Sequence, residues 1–425
     1  MRRRLLFVSL GVTALSGLLA IGWSAWRDMA ASDLVARAQA RLDAPLSEAP
    51  GIDRLQASTA ASLLERAMEE GRRDDATVGL LAYAHALEDY QRGDMVLAEG
   101  ELTSARHRLG RNADVEVLAA AVARARSQEN EAEALLAGAL ALEPGHVHGR
   151  MLAADLALDA EDGRAALGHL RELDDDVAAL HNRRGLAHEL LLDEDAAAGA
   201  YADAVRVDPT AHDAWINLGR LHRRRGDHQA ALDAFEHAVR AAESDGDAHL
   251  GRGLARAALG DVYAAQADFA RAAELSPNDA EPLLALGDMQ RDLRSYEDAV
   301  ATYRDAIARE DADAASWLKL GNALALLEQY QDAAGAFRNA LERAPELAAA
   351  FNGLGASLMH LGDAEQAALA LDRAAELDAR DPNPLMNLAL LHERSGDAAA
   401  AREAWERALE RDPSSSIAQR RLARL

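Results

Sequence analysis

Three consecutive arginines, Arg223, Arg224 and Arg225, interrupt a chain of 425 residues whose formal net charge is −25. Arg220 stands three positions before them, and Asn217 three before that. A guanidinium presents a planar fork of N–H donors that fits a carboxylate, and a side-chain amide both donates to and accepts from a peptide backbone. These groups could therefore hold an acidic, extended polypeptide. The bland alternative is a solvated helix end, because cations suit the negative end of a helix dipole. Kindred pairs occur at Asn182 with Arg183 and at Lys319 with Asn322, Lys319 being the only lysine.

Other chemistry is hard to assemble from this sequence. There is no cysteine, which removes disulfides, thiolate metal sites and a thiol nucleophile. HExxH, GxSxG and Walker A motifs are missing. His146 and His148 offer two imidazoles without a third ligand beside them, so no metal and no cofactor is expected. "GRGLAR" from Gly251 begins like a dinucleotide loop, but Gly253 belongs to a periodic series described below. The sequence reads as non-enzymatic.

Composition sets the scaffold. Hydrophobic residues make up 49% but aromatics only 4%, so alanine and leucine supply the apolar surface, as in helices rather than sheets. The acidic balance, with pI ≈ 4.9, excludes general affinity for nucleic acid, which needs clustered cations on one face. At the N-terminus Arg2, Arg3 and Arg4 precede Leu5–Trp26, a stretch without a charge. As a helix it spans about 33 Å, enough for a hydrocarbon core. The positive-inside rule keeps the first residues cytoplasmic, with Trp23 and Trp26 at the far interface. The rival reading is a cleaved signal peptide, and in a bacterium both place the body in the periplasm.

The dominant pattern is a repeat of 34 residues. Ala204, Ala238, Ala272, Ala306, Ala340, Ala374 and Ala408 form one unbroken series, and Ala197, Ala231, Ala265, Ala299, Ala333, Ala367 and Ala401 another. Between them run Tyr201, Phe235, Phe269, Tyr303, Phe337, Leu371 and Trp405. Upstream lie Gly185, Gly219, Gly253, Gly287, Gly321 and Gly355, then Ala389. Such spacing predicts two helices per unit: the glycine marks a close approach of helix A to its partner, and the two alanines share one face of helix B. Gly226-Asp227, Gly260-Asp261, Gly362-Asp363 and Gly396-Asp397 are expected to end one helix and cap the next. Pro209, Pro277, Pro345 and Pro413 are expected to stop helix B in alternate units.

With Trp317, Leu320, Gly321, Ala333, Phe337, Ala340 and Pro345 in a single unit, the chain resembles the tetratricopeptide repeat family. The resemblance covers residues 79–425. It implies an all-α, right-handed α-solenoid of about ten helix-turn-helix repeats after one N-terminal transmembrane helix. The expected organisation is a basic N-terminus over 1–4, an anchor or uncleaved signal over 5–26, and a helical stalk or degenerate repeat over 27–78. Three divergent repeats follow over 79–177, with the 147–177 unit three residues short, then seven regular ones over 178–415 and a capping helix over 416–425. Residues 28–43 and 53–71 read as a helix pair around Pro45 and Pro50. Arg184 and Arg252 read as a structural variant of the repeat.

In the family, helix A lines a groove that holds peptides or a partner's helix. By that resemblance the candidate peptide-binding residues are Asn182, Arg183, Asn217, Arg220, Arg223, Arg224, Lys319 and Asn322. An apolar floor is expected from Tyr83, Leu87, Val117, Met151, Ile216, Leu250, Leu254, Leu284, Leu318, Met386 and Leu390. The implied function is a membrane-tethered, periplasm-facing scaffold or adaptor for envelope assembly, secretion or maturation. Its partner would be a protein or peptide with an acidic or carboxylate-bearing segment. The second reading is a substrate-recruiting subunit of a separate enzyme complex, of the polysaccharide-export or cytochrome-maturation kind. Self-association is compatible with either.

Overall fold

The computed structural model describes residues 29–42, 50–171, 173, 177–309 and 313–425. Among the described residues every regular element is a helix. The expected span Leu5–Trp26 and the run Asp174–Asp176 lie outside them. No helix among the described residues is long and apolar enough to cross a membrane. The chain divides into two compact units, 1–214 and 215–425.

The first unit opens with α1 (29–42) and α2 (Pro50–Glu69). Leu34 and Ala38 of α1 share a core with Ala60, Leu64 and Ala67 of α2. Three hairpins follow: α3 (Asp75–Arg92) with α4 (Met95–Leu109), α5 (Ala113–Ala125) with α6 (Glu129–Leu142), and α7 (Val147–Asp159) with α8 (Gly163–Leu170). Then come α9 (Ala178–Leu190) and α10 (Glu194–Val207). The eight residues of α8 make it the short helix of the set. Its last carbonyl, of Leu170, accepts from Nη2 of Arg184 at 3.0 Å.

The second unit holds α11 (His212–Arg224, whose first turn falls in the first unit) with α12 (His228–Ala241), and α13 (Gly246–Ala258) with α14 (Val262–Leu275). It continues through α15 (Glu281–Asp292) with α16 (Tyr296–Arg309), and α17 (Ala314–Leu326) with α18 (Tyr330–Arg343). The last hairpins are α19 (Ala348–Leu361) with α20 (Ala364–Leu377), and α21 (Asn383–Ser395) with α22 (Ala398–Arg411), followed by α23 (Ser416–Leu422).

The periodic residues build the core. Both alanine series and the large residue between them are 0–1% exposed in every regular repeat. The periodic glycine works differently from the expected backbone approach. A Cβ on Gly219, Gly253 or Gly321 would stand 2.6–2.9 Å from the ring of Phe235, Phe269 or Phe337 on the following helix. Missing side chains on helix A are thus filled by aromatic rings from helix B. That interlock removes apolar ring surface from water, worth about 25 cal/mol per Å².

The turns repeat as strictly as the core. Gly226, Gly260, Gly362 and Gly396 all sit in the left-handed region, with φ between +80 and +85°. Asp363 and Asp397 accept from the backbone N–H of Gln366 and Ala400 as expected of caps. Asp227 and Asp261 occupy the same position without a side-chain cap bond. Ser127, Glu161, Leu192, Arg294 and Glu328 also take a positive φ, of 57–64°, without being glycine, so the turn is imposed by the hairpin and not chosen by its residue.

Aspartate caps also couple the fold to pH. Asp74 accepts from the backbone N–H of Thr77, which holds its carboxyl below the ordinary 3.8. Asp313 is lowered by the hydroxyl and backbone N–H of Ser316. A depressed folded pKa stabilises the fold above the unfolded value, and that contribution is lost as pH falls through the folded pKa. The melting temperature is therefore expected to hold from pH 7 to 5 and to fall below about pH 4. Asp313→Asn should remove part of that fall, and identical pH profiles for the two proteins would refute the assignment.

Candidate functional site

The first helix of a hairpin touches the first helix of the next: α3, α5, α7 and α9 in one unit, and α15, α17, α19 and α21 in the other. The polar residues singled out from the sequence lie on three first helices, α9, α11 and α17. In the first unit Asn182 and Arg183 are half-buried on α9. The Arg183 fork closes on Asp155 of α7, with Nε–Oδ1 at 2.6 Å and Nη2–Oδ2 at 3.0 Å. Arg124 of α5 reaches the same Asp155 at 3.8 Å and Asp159 at 2.8 Å. Three first helices are thereby joined by one chain of ion pairs, with Arg183 built into it.

In the second unit Asn217 is half-buried on α11, and Arg220, Arg223 and Arg224 are exposed along the same helix. Arg225 is half-buried, beyond the last residue of α11. Nη2 of Arg220 meets Asp247 of α13 at 2.6 Å, a pair in which both side chains are about half exposed. On α17 Lys319 is ion-paired with Asp288 of α15, and Asn322 is exposed. Asp288 also accepts from the hydroxyl of Tyr303 at 2.6 Å and lies 3.2 Å from Arg291. Burial, with the hydrogen bond to Asp288, pushes the Tyr303 hydroxyl far above its ordinary 10.0, so it stays a donor.

The structure adds groups that the sequence did not single out. Asp155, Asp247 and Asp288 each supply a carboxylate to a candidate cation from a neighbouring first helix. Nδ2 of Asn387 on α21 donates to Oδ1 of Asn352 on α19 at 2.9 Å. A reading across repeats, setting ninth positions against second or sixth positions of the next repeat, would have found the aspartates. The expected apolar floor divides in two. Leu87, Val117, Ile216 and Leu250 are buried core, while Leu254, Leu284, Leu318, Met386 and Leu390 are half-buried.

The two side features resolve into packing. Gly253 lies inside α13 against Phe269. His146 caps α7, its Nδ1 accepting the Gly149 N–H at 3.0 Å, so the proton sits on Nε2 and is donated to Asp114 at 2.9 Å. That hydrogen bond holds the Asp114 carboxyl below its ordinary value. Both ring nitrogens are engaged, which leaves neither lone pair for a metal.

These features define the chain as an all-α helical-repeat protein whose first helices share a polar face. Sequence models described as tetratricopeptide repeat match residues 210–276, 250–316, 284–334, 318–383 and 382–425, an unbroken run from 210 to the last residue. The chain belongs to the tetratricopeptide repeat family, whose members in general hold protein or peptide partners and typically lack catalysis. No curated relative matches the sequence.

Among solved structures it is similar to YrrB, described as a TPR protein with an unusual peptide-binding site. The identity is 19% and the TM-score 0.41, over 46% of this chain and 100% of that one. It is also similar to the APC/C hetero-tetramer Cut9–Hcn1, at 16% identity and TM-score 0.44, over 87% and 93% of the two chains. PilF of Pseudomonas aeruginosa shows 18% identity and a TM-score of 0.44, over 51% and 98%.

Proposed function

We propose that this protein is a non-enzymatic scaffold or adaptor, tethered to a bacterial inner membrane by residues 5–26, with its repeats facing the periplasm. It holds partner polypeptides along the row of first helices. The observation that carries this reading is the polar face itself. Within a chain of net charge −25, Arg220, Arg223 and Arg224 are exposed together on a first helix. The apolar, uncharged Leu5–Trp26 behind three arginines supports the tether.

The test is affinity capture from native membranes with the full chain and with Arg220→Glu/Arg223→Glu/Arg224→Glu. The expected result is loss of one bound partner from the variant, with helicity and melting unchanged, and release of the protein from membranes when residues 1–26 are deleted. An identical set of bound proteins would return the arginines to the role of a solvated helix end.

A further inference from the structure

One further periodic series in the second unit is not buried by the fold. The residue that closes α13, α15, α17 and α19 is a leucine each time: Leu259, Leu293, Leu327 and Leu361, in the register of the repeat. Leu259, Leu293 and Leu361 are 45%, 42% and 43% exposed, and where Leu327 is half-buried its neighbour Leu326 is 50% exposed. Packing does not ask for leucine here, because the same register holds Arg225 after α11 and Ser395 at the end of α21. Turns in water are ordinarily polar, and apolar side chains recurring along one exposed edge mark a contact surface.

The leucines after α15, α17 and α19 fall along one edge. Those three helices touch in succession, so the turns that follow them are neighbours. Tyr330, the first residue of α18, stacks on His360 in the last turn of α19 with ring centres 4.1 Å apart, which joins two of the turns directly. The charge beside the row has one sign. Within 292–298, 326–332 and 360–366 the exposed residues include seven carboxylates, among them Glu297, Asp298, Glu328, Asp332 and Glu365, against a single arginine, Arg294. Acids in the first turn of a second helix suit its dipole, which accounts for several of them but for none of the leucines.

We infer that this edge is a second docking surface, separate from the row of first helices, and that its occupant is a basic amphipathic helix of a partner polypeptide. The apolar stripe of that helix lies on the leucines, and its lysines or arginines meet the flanking carboxylates. Touching helices stand about 8–10 Å apart, and residues seven apart on a helix are separated by ~10.5 Å. One apolar residue per heptad therefore meets each successive turn. A second copy of the same edge would set acid against acid, and so would an anionic bilayer. The charge selects a cationic occupant.

The test uses the full chain in phosphatidylcholine vesicles. Because the chain has no cysteine, Gln329→Cys places a single environment-sensitive fluorophore on the turn between Leu326 and Tyr330. The probe is a three-heptad peptide of leucine, lysine and alanine, with leucine at every seventh position. It is expected to shift the fluorophore to the blue and to bind at least about tenfold more tightly than a control of the same composition whose leucines are scattered round the helix. Leu293→Gln/Leu326→Gln/Leu361→Gln should abolish that preference with melting unchanged, whereas Arg220→Glu/Arg223→Glu/Arg224→Glu should leave it intact. Equal binding of the two peptides, or a preference that survives the leucine substitutions, would overturn the inference. So would a preference lost with the arginines, which would return the binding to the row of first helices. A blue shift without peptide, on moving the labelled chain into vesicles that contain phosphatidylglycerol, would overturn it too and show that the edge lies on a lipid surface.

Discussion

Asp268→Ala is expected to destabilise the α13–α14 hairpin by about 3–5 kcal/mol, the cost of breaking a buried charge pair by removing one partner. Asp268 lies on α14 and is almost fully buried. Its carboxylate takes Nη2 of Arg252 at 2.6 Å, Nε of Arg252 at 3.1 Å and Nη1 of Arg256 at 2.8 Å. Nδ1 of His249 stands 3.7 Å away. Truncation strands two guanidiniums whose side chains are only 18% and 22% exposed, where water cannot fully replace the lost carboxylate.

Because contacts in a repeat array run between neighbours, the loss should be local. Hydrogen exchange of α13 and α14 amides should accelerate strongly, with those of α21 and α22 little changed. Arg252→Leu/Asp268→Leu should recover much of the loss, since apolar replacements of a buried pair are often neutral or better. An Asp268→Ala protein whose α13 and α14 amides exchange as in the wild type would show that the pair contributes nothing.

That node shows where sequence reading stopped. The repeat was legible because the alanines at Ala231 and Ala238 and the ring at Phe235 recur wherever two helices must approach closely, and only small residues allow it. Arg252 was recognisable as structural, but nothing in the sequence singled out Asp268 as its partner. Its neighbours at that position are mostly alanine, and burial of a single aspartate leaves no period. The turns behaved likewise. Four Gly-Asp pairs announced the left-handed residue, while Leu192 and Glu328 hold the same backbone with nothing in their type to say so. At the candidate site the sequence placed Arg220 and Lys319 on the right helices. It did not pair them with Asp247 and Asp288, because that contact joins different repeats.

Two glycines beside Phe337 should respond in opposite directions to the same substitution. Gly335 lies inside α18, and a Cβ there would meet nothing within 4 Å. Gly335→Ala is expected to stabilise the 314–347 repeat by about 0.5–1 kcal/mol, the ordinary difference between glycine and alanine in a helix. Gly353 lies inside α19, where a Cβ would stand 2.6 Å from Cε1 of Phe337 and closer still to Cζ.

The same propensity gain is available at Gly353, but Phe337 is 1% exposed. Its ring also meets the position a Cβ would take on Gly321, 2.6 Å from Cε1. Held between two glycines of successive first helices, the ring has no direction in which to yield without parting them. Gly353→Ala should therefore destabilise by about 1–3 kcal/mol net. Urea melts of the two variants, compared by midpoint and by exchange of α17–α19 amides, decide the matter. If Gly353→Ala is as stabilising as Gly335→Ala, the ring has room to move and the interlock of Phe337 between repeats is not what holds those helices together.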